Sequence, residues 1–170
     1  MADDVVSVMF FCLGNICRSP LAEALFRHKV DEAGLTDRFH IESSGTSSYH
    51  IGEPPHRGSQ RVARERLGLD ITDQRAQQLT REHVESFDWL IAMDRSNYRG
   101  AERWAGPDTR LHLLRDFEPG GGQADDVPDP WGGGGSQFEH VYEIVDRCTA
   151  ALLEHIAQTH GLSLPSAPDV

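Results

Sequence analysis

Val5 to Phe26 reads VVSVMFFCLGNICRSPLAEALF, and a change of rhythm at its middle sets the architecture of the chain. Val5 to Cys12 is a continuous run dominated by β-branched and aromatic apolar residues, with Ser7 its one polar member, the composition of a strand covered on both faces. Beyond it the period changes. Leu21, Ala22, Leu25, Phe26, Val30 and Ala33 recur at helical spacing, with Ser19 placed as N-cap, Pro20 in the first turn and Gly34 at the close. Strand, short loop and helix in direct succession are the opening of a βαβ unit.

The alternation continues outward from this stretch. A short strand is expected at Phe39 to Ser43, then a loop, SGTSSYHIGEPP, and a helix over Arg57 to Leu67. FDWLIAM and TRLHLL read as two further buried strands, with a helix from Ser96 to Trp104 between them. In a last helix, Gln137 to Ala157, one face carries Phe138, Val141, Tyr142, Val145, Cys148 and Leu152. Such a pattern predicts an α/β fold, a mostly parallel sheet with helices on both sides. Residues 1–160 fit one domain, and 161–170 read as a flexible tail.

Composition narrows the function. With 38% hydrophobic and 25% charged residues the chain is ordinary for a globular domain. No apolar run reaches the roughly 18 residues of a membrane span, and the acidic start MADDVV is unlike a signal peptide, so a cytoplasmic protein with no membrane insertion is expected. Three cysteines, an odd number, suit reduced thiols rather than a disulfide framework. A net charge of -11 argues against nucleic acid as partner. The nine histidines show no paired ligand spacing, so neither metal nor cofactor is expected. Any anionic ligand must be held by a local positive field.

The loop after the first strand offers that field. Leu13, Gly14, Asn15, Ile16, Cys17 and Arg18 deliver backbone N–H groups toward one point at the positive end of the next helix, where a tetrahedral oxyanion fits. Gly14 and Asn15 are residue types that tolerate a left-handed backbone. Arg18 adds a permanent charge with a planar fork of donors. Cys12 sits where these groups converge, and such surroundings favour the thiolate, the nucleophilic form. Ser19 is placed to hydrogen-bond the sulfur. A buried structural cysteine beside a solvated arginine is the plainer reading, but it leaves Gly, Asn, Arg, Ser and Pro in register unexplained. For Cys17, packing and a reversible disulfide with Cys12 both stay open; Cys148 reads as core.

The run VMFFCLGNICRSPLAEALF resembles the signature of the low-molecular-weight protein tyrosine phosphatases, and the likeness continues through SSGT, RAQQLT, FDWLIAMDRSN and VPDPW, from about Val5 to Ile156. The resemblance implies a flavodoxin-like three-layer sandwich with a central four-stranded parallel sheet. It implies hydrolysis of phosphotyrosine in proteins or peptides through a cysteinyl-phosphate intermediate, with Asp129 as general acid and then base. A phenolate with a pKa of about 10 leaves poorly without a proton, which is why an acid is called for. Pro128 and Pro130 brace Asp129, and the glycines at 120–122 and 132–135 suggest a loop that swings. Asp125 and Asp126 compete for the acid role but lack the following Pro-aromatic pair.

The same resemblance places Tyr49 and Trp131 on the walls of the substrate cleft, with Gly132 where relatives carry another aromatic. It assigns the support of Asn15 to Ser44 and, in place of a histidine, to Gln74. Asp94 in MDRSN reads as a cap or brace. Arsenate reductases share the opening loop but need relay cysteines that are missing between Cys17 and Cys148. Protein-arginine phosphatases typically carry threonine where Ile16 stands; Ile16 favours an aryl phosphate. An idle phosphate-binding module would need neither Cys12 nor Asp129. Assembly stays open between a monomer and a weak homodimer.

Overall fold

A computed structural model describes residues 4–120 and 126–165. Four parallel strands, β1 (Val6–Cys12), β2 (Phe39–Gly45), β3 (Trp89–Ala92) and β4 (Leu111–Leu113), form one sheet in the order β2-β1-β3-β4. The helices are α1 (Arg18–Glu32), α2 (Arg57–Leu67), α3 (Arg81–Ser86), α4 (Arg95–Glu102) and α5 (Gly135–His160). The expected α/β, flavodoxin-like sandwich is what the chain adopts.

Alternation along β1 builds two cores. Val8, Phe10 and Cys12 join Leu21, Leu25, Phe26, Val62 and Val145 on the face covered by α1, α2 and α5. Met9 and Phe11 join Leu90, Ala92, Val84 and Ala101 on the face covered by α3 and α4. A strand buried on both sides has no polar face, which is why β1 reads as a mainly apolar run. Phe10, Phe26 and Phe39 meet edge to face, with centroids 5.4 and 5.6 Å apart.

From β1 the chain moves to β2 on one side and later crosses to β3 on the other. That reversal opens a crevice at the carboxyl ends of β1 and β3, where ligands gather in such sheets. Cys12 ends β1, and Asp94 follows β3 by two residues.

Several boundaries differ from expectation. α1 starts at Arg18 with Cys17 as N-cap and no side-chain cap, so Ser19 is not the cap. Uncapped first-turn amides are available to an anion. β3 is four residues long because Phe87 still closes α3 and Asp88 turns its carboxylate onto Ser7, accepting from Ser7 N at 2.9 Å and Oγ at 3.1 Å. α3 escaped notice because six residues show less than two turns of periodicity; the Thr80 and His83 capping box was its only signal. Gly135 belongs to α5 and Gly133 N donates to Pro130 O at 2.8 Å, so the glycine run forms a tight turn and a helix start. Gly121, Gly122 and Asp125 lie outside the described residues, as do residues 166–170 of the tail. Among the described residues no helix is long and apolar enough to cross a membrane.

Candidate active site

The loop from Cys12 to Arg18 is tied down by its carbonyls. Cys12 O accepts from Thr46 N at 2.9 Å, Leu13 O from Ser47 N and Oγ at 2.9 Å each, Ile16 O from His56 N at 2.7 Å, and Cys17 O from Ser59 Oγ at 2.8 Å. These bonds hold the carbonyls to the scaffold, and a loop fixed in this way suits an anion cradle made of backbone amides. Asn15 N already donates to Cys12 Sγ at 3.3 Å.

Asn15 is the sole non-glycine residue at positive φ among those described, at 57°. Its side chain justifies the strain. Nδ2 donates to Ser19 Oγ at 2.8 Å and Ser43 Oγ at 3.0 Å, and Oδ1 accepts from Gln77 N at 3.0 Å. Two expected supports are thereby corrected. Ser44 points to the opposite face of β2, where its hydroxyl donates to Met9 Sδ at 3.2 Å, because successive strand residues alternate sides. Only its carbonyl contributes, accepting from Ser19 Oγ at 3.3 Å. Gln74 donates to Pro20 O at 3.2 Å, away from Asn15; Gln77 takes that place and also binds Glu42 and Ser43 O. Gly14 is not left-handed either. A Cβ there would come within 2.9 Å of the His50 ring, so the glycine makes room rather than a turn.

Ser19 Oγ lies 3.1 Å from Cys12 Sγ, as the spacing predicted. Arg18 is 3% exposed. Nη1 donates to Asp94 Oδ2 at 2.7 Å and to Val127 O at 3.0 Å, while Nη2 is 3.8 Å from Asp129 Oδ2. Nε is buried and has no partner among the described residues. Nε and Nη2 form the side of the fork still able to grip two oxygens, and a bound oxyanion would relieve a buried unsatisfied donor. Burial opposes the guanidinium charge, but Cys12, Asp94 and Asp129 outweigh it and raise its pKa above the ordinary value.

Asp94 also caps α4, accepting from Asn97 N at 2.8 Å, so it braces, as expected. Asp129 stands half-exposed at the rim, its Oδ1 accepting from Trp131 N at 3.0 Å. Asp126 is engaged elsewhere, accepting from Arg95 N at 3.0 Å. Cys12, Arg18, Tyr49, His50, Asp129 and Trp131, with Leu13, Gly14, Ile16 and Cys17, line one cleft of about 210 Å3. His50 was missed; its signal was adjacency to Tyr49, and its Nδ1 lies 2.6 Å from Glu53 Oε2.

The three cysteines are free thiols. Burial, then the negative field of Cys12 and Asp129, pushes the Cys17 thiol up to about 12 despite Arg18. Cys148 is fully buried in the core, as expected. Among the described residues no group of three or more His, Cys, Asp and Glu side chains is arranged to hold a metal ion.

Residues 7–161 match the family described as low molecular weight phosphotyrosine protein phosphatase. The chain is 38% identical over 160 residues to the low molecular weight protein-tyrosine-phosphatase YfkJ of Bacillus subtilis, covering 93% of this chain and all of that one. It is 37% identical over 153 residues to the human low molecular weight phosphotyrosine protein phosphatase, covering 87% and 94%. The crystal structure of YfkJ superposes with a TM-score of 0.85, covering 94% of this chain and 99% of that one at 35% identity. A protein tyrosine phosphatase of Entamoeba histolytica, solved with Hepes in its active site, gives 0.84 at 28% identity, covering 91% and 98%.

Proposed function

The chain belongs to the low-molecular-weight phosphotyrosine protein phosphatase family, and from that premise we propose that Cys12, Arg18 and Asp129 hydrolyse phosphotyrosine in proteins and peptides through a cysteinyl-phosphate intermediate. The observation that carries this reading is that Cys12, Arg18 and Asp129 line one cleft, where the sulfur accepts from Asn15 N, the buried Nε of Arg18 has no partner among the described residues, and a carboxyl group stands 3.8 Å from the guanidinium.

In the first step the Cys12 thiolate attacks phosphorus, the P–O bond to the tyrosine breaks, and protonated Asp129 gives its proton to the leaving oxygen. The Leu13–Arg18 amides and Arg18 hold the equatorial oxygens as charge builds on them. In the second step Asp129, now a carboxylate, takes a proton from water as that water attacks phosphorus. The P–S bond breaks, inorganic phosphate leaves, and the thiolate is restored. Ser19 steadies the sulfur as leaving group by turning its one hydroxyl proton from Ser44 O to the thiolate. Apart from the attacking water, every group these two displacements use is a side chain or a backbone amide of this chain.

Tyr49 and Trp131 supply aromatic faces for the phosphotyrosine ring, and the apolar Ile16 wall suits an aryl rather than a guanidinium phosphate. We assign the protein to the cytoplasm, as a monomer or weak homodimer. The test is hydrolysis of phosphotyrosine and phosphoarginine peptides side by side with chelator present. Phosphotyrosine should be preferred, and Cys12→Ser should remove turnover by at least about 1,000-fold. Preference for phosphoarginine would overturn the substrate; no turnover of either would leave a binding module.

A further inference from the structure

A row of arginines leaves the active site along α4. Asp94, which grips Arg18, caps this helix, and Arg95, Arg99 and Arg103 follow at four-residue intervals, so they share a face. Arg99 and Arg103, with Thr46, Leu79, Gly100 and Trp104, line a second cleft of about 300 Å3. Thr46 joins it to the phosphate cradle, since its N–H donates to Cys12 O at 2.9 Å.

In a chain with 27 acidic and 16 basic residues, surface arginines are expected to find carboxylates. Among the described residues neither Arg99 nor Arg103 has an ion-pair partner. Arg103 instead lies over the Trp104 ring, 4.2 Å from its centroid. Glu102 and Asp116 line the adjoining depression with Arg95 and Arg99, and neither is part of this cleft. The cleft is therefore a local positive field on a protein of net charge -11. At about 1.5 Å per residue, Arg99 and Arg103 stand roughly 8 and 14 Å along the helix from Asp94. An extended peptide advances about 3.3 Å per residue, so three or four residues cover a length of the same order as these intervals.

We propose that this cleft is a second recognition site that binds carboxylate side chains of the substrate three to four residues from its phosphotyrosine. The inference rests on the tyrosine-phosphatase reading and gives it a sequence preference. Guanidinium groups match carboxylates in shape and charge, and the Trp104 and Leu79 walls strengthen the attraction by excluding water. The carboxylate needs no chemistry; it holds the peptide in register while the cradle acts on phosphate.

The test compares phosphotyrosine peptides carrying two Asp or two Ala at the third and fourth positions, on either side of the tyrosine, with wild type and Arg99→Ala/Arg103→Ala. Phenyl phosphate hydrolysis and thermal unfolding serve as controls, since both arginines are exposed. Wild type should favour one acidic peptide by about tenfold in kcat/KM, through KM, with the advantage fading as salt rises. The double variant should lose that preference and keep its phenyl phosphate turnover. No preference in wild type, or a preference that survives in the variant, overturns the proposal while leaving phosphatase activity in place. Failure to hydrolyse phenyl phosphate and both peptides would instead strike the phosphatase reading. Affinities of the two peptides for Cys12→Ser protein, with and without the arginines, then decide the cleft: equal affinities overturn it.

Discussion

The cradle and the rim of the same cleft are built on opposite terms. Asn15 and Arg18 are 3% exposed, Ser19 is fully buried, and each is bonded on several sides. Tyr49 and Trp131 are 77% and 64% exposed. In the proposed reaction the cradle meets a group that is always the same, a tetrahedral phosphate, so ordering its donors in advance lowers the reorganisation the reaction must supply. The rim meets the variable part of the substrate, where large apolar faces with few fixed partners serve better. Rate and stability should therefore reside in the cradle, and selectivity in the rim.

The strongest challenge to that division is Arg18→Ala. It should cut kcat/KM about 1,000-fold for every phosphomonoester, because it removes the permanent charge from the transition state and strands half-buried Asp94. A loss below tenfold would give phosphate recognition to the amides alone. Asp129→Ala tests a residue that belongs to both regions. Turnover of a phenyl ester should fall about 100-fold, but that of an ester with a strongly acidic leaving group less than about tenfold. Equal loss on both would remove Asp129 from the acid role.

Asn15 measures what the cradle contributes to folding. Asn15→Ala loses three side-chain hydrogen bonds and keeps a Cβ at φ 57°, so denaturant unfolding should show a loss of roughly 2–4 kcal/mol. Asn15→Gly relieves the backbone and should recover about 1 kcal/mol of that. Equal losses would mean that strain is not why asparagine stands there. The smallest effect belongs to the rim. Trp131→Ala should raise KM for aryl phosphates about three- to tenfold while alkyl phosphates and the unfolding midpoint stay unchanged. A lowered midpoint would make Trp131 structural and blur the comparison.

The sequence by itself determined the strand, loop and helix from Val6 to Glu32, the order of the main strands and helices, and the places of Cys12 and Arg18 at the two ends of that loop. Those features depend on hydrophobic period and on neighbours a few residues away, which the chain carries locally. Only the tertiary structure chose Ser43 over Ser44 and Gln77 over Gln74 as the supports of Asn15, and only it brought His50 into the cleft and left Arg99 and Arg103 beside Thr46. On a strand one residue reverses the direction of a side chain, and the register that decides it is fixed by pairing with β1, more than 25 residues away, where Phe10 stands opposite Ser43. The partners of a buried polar group are set by that pairing and by the packing of the loops around it, and no local pattern records either.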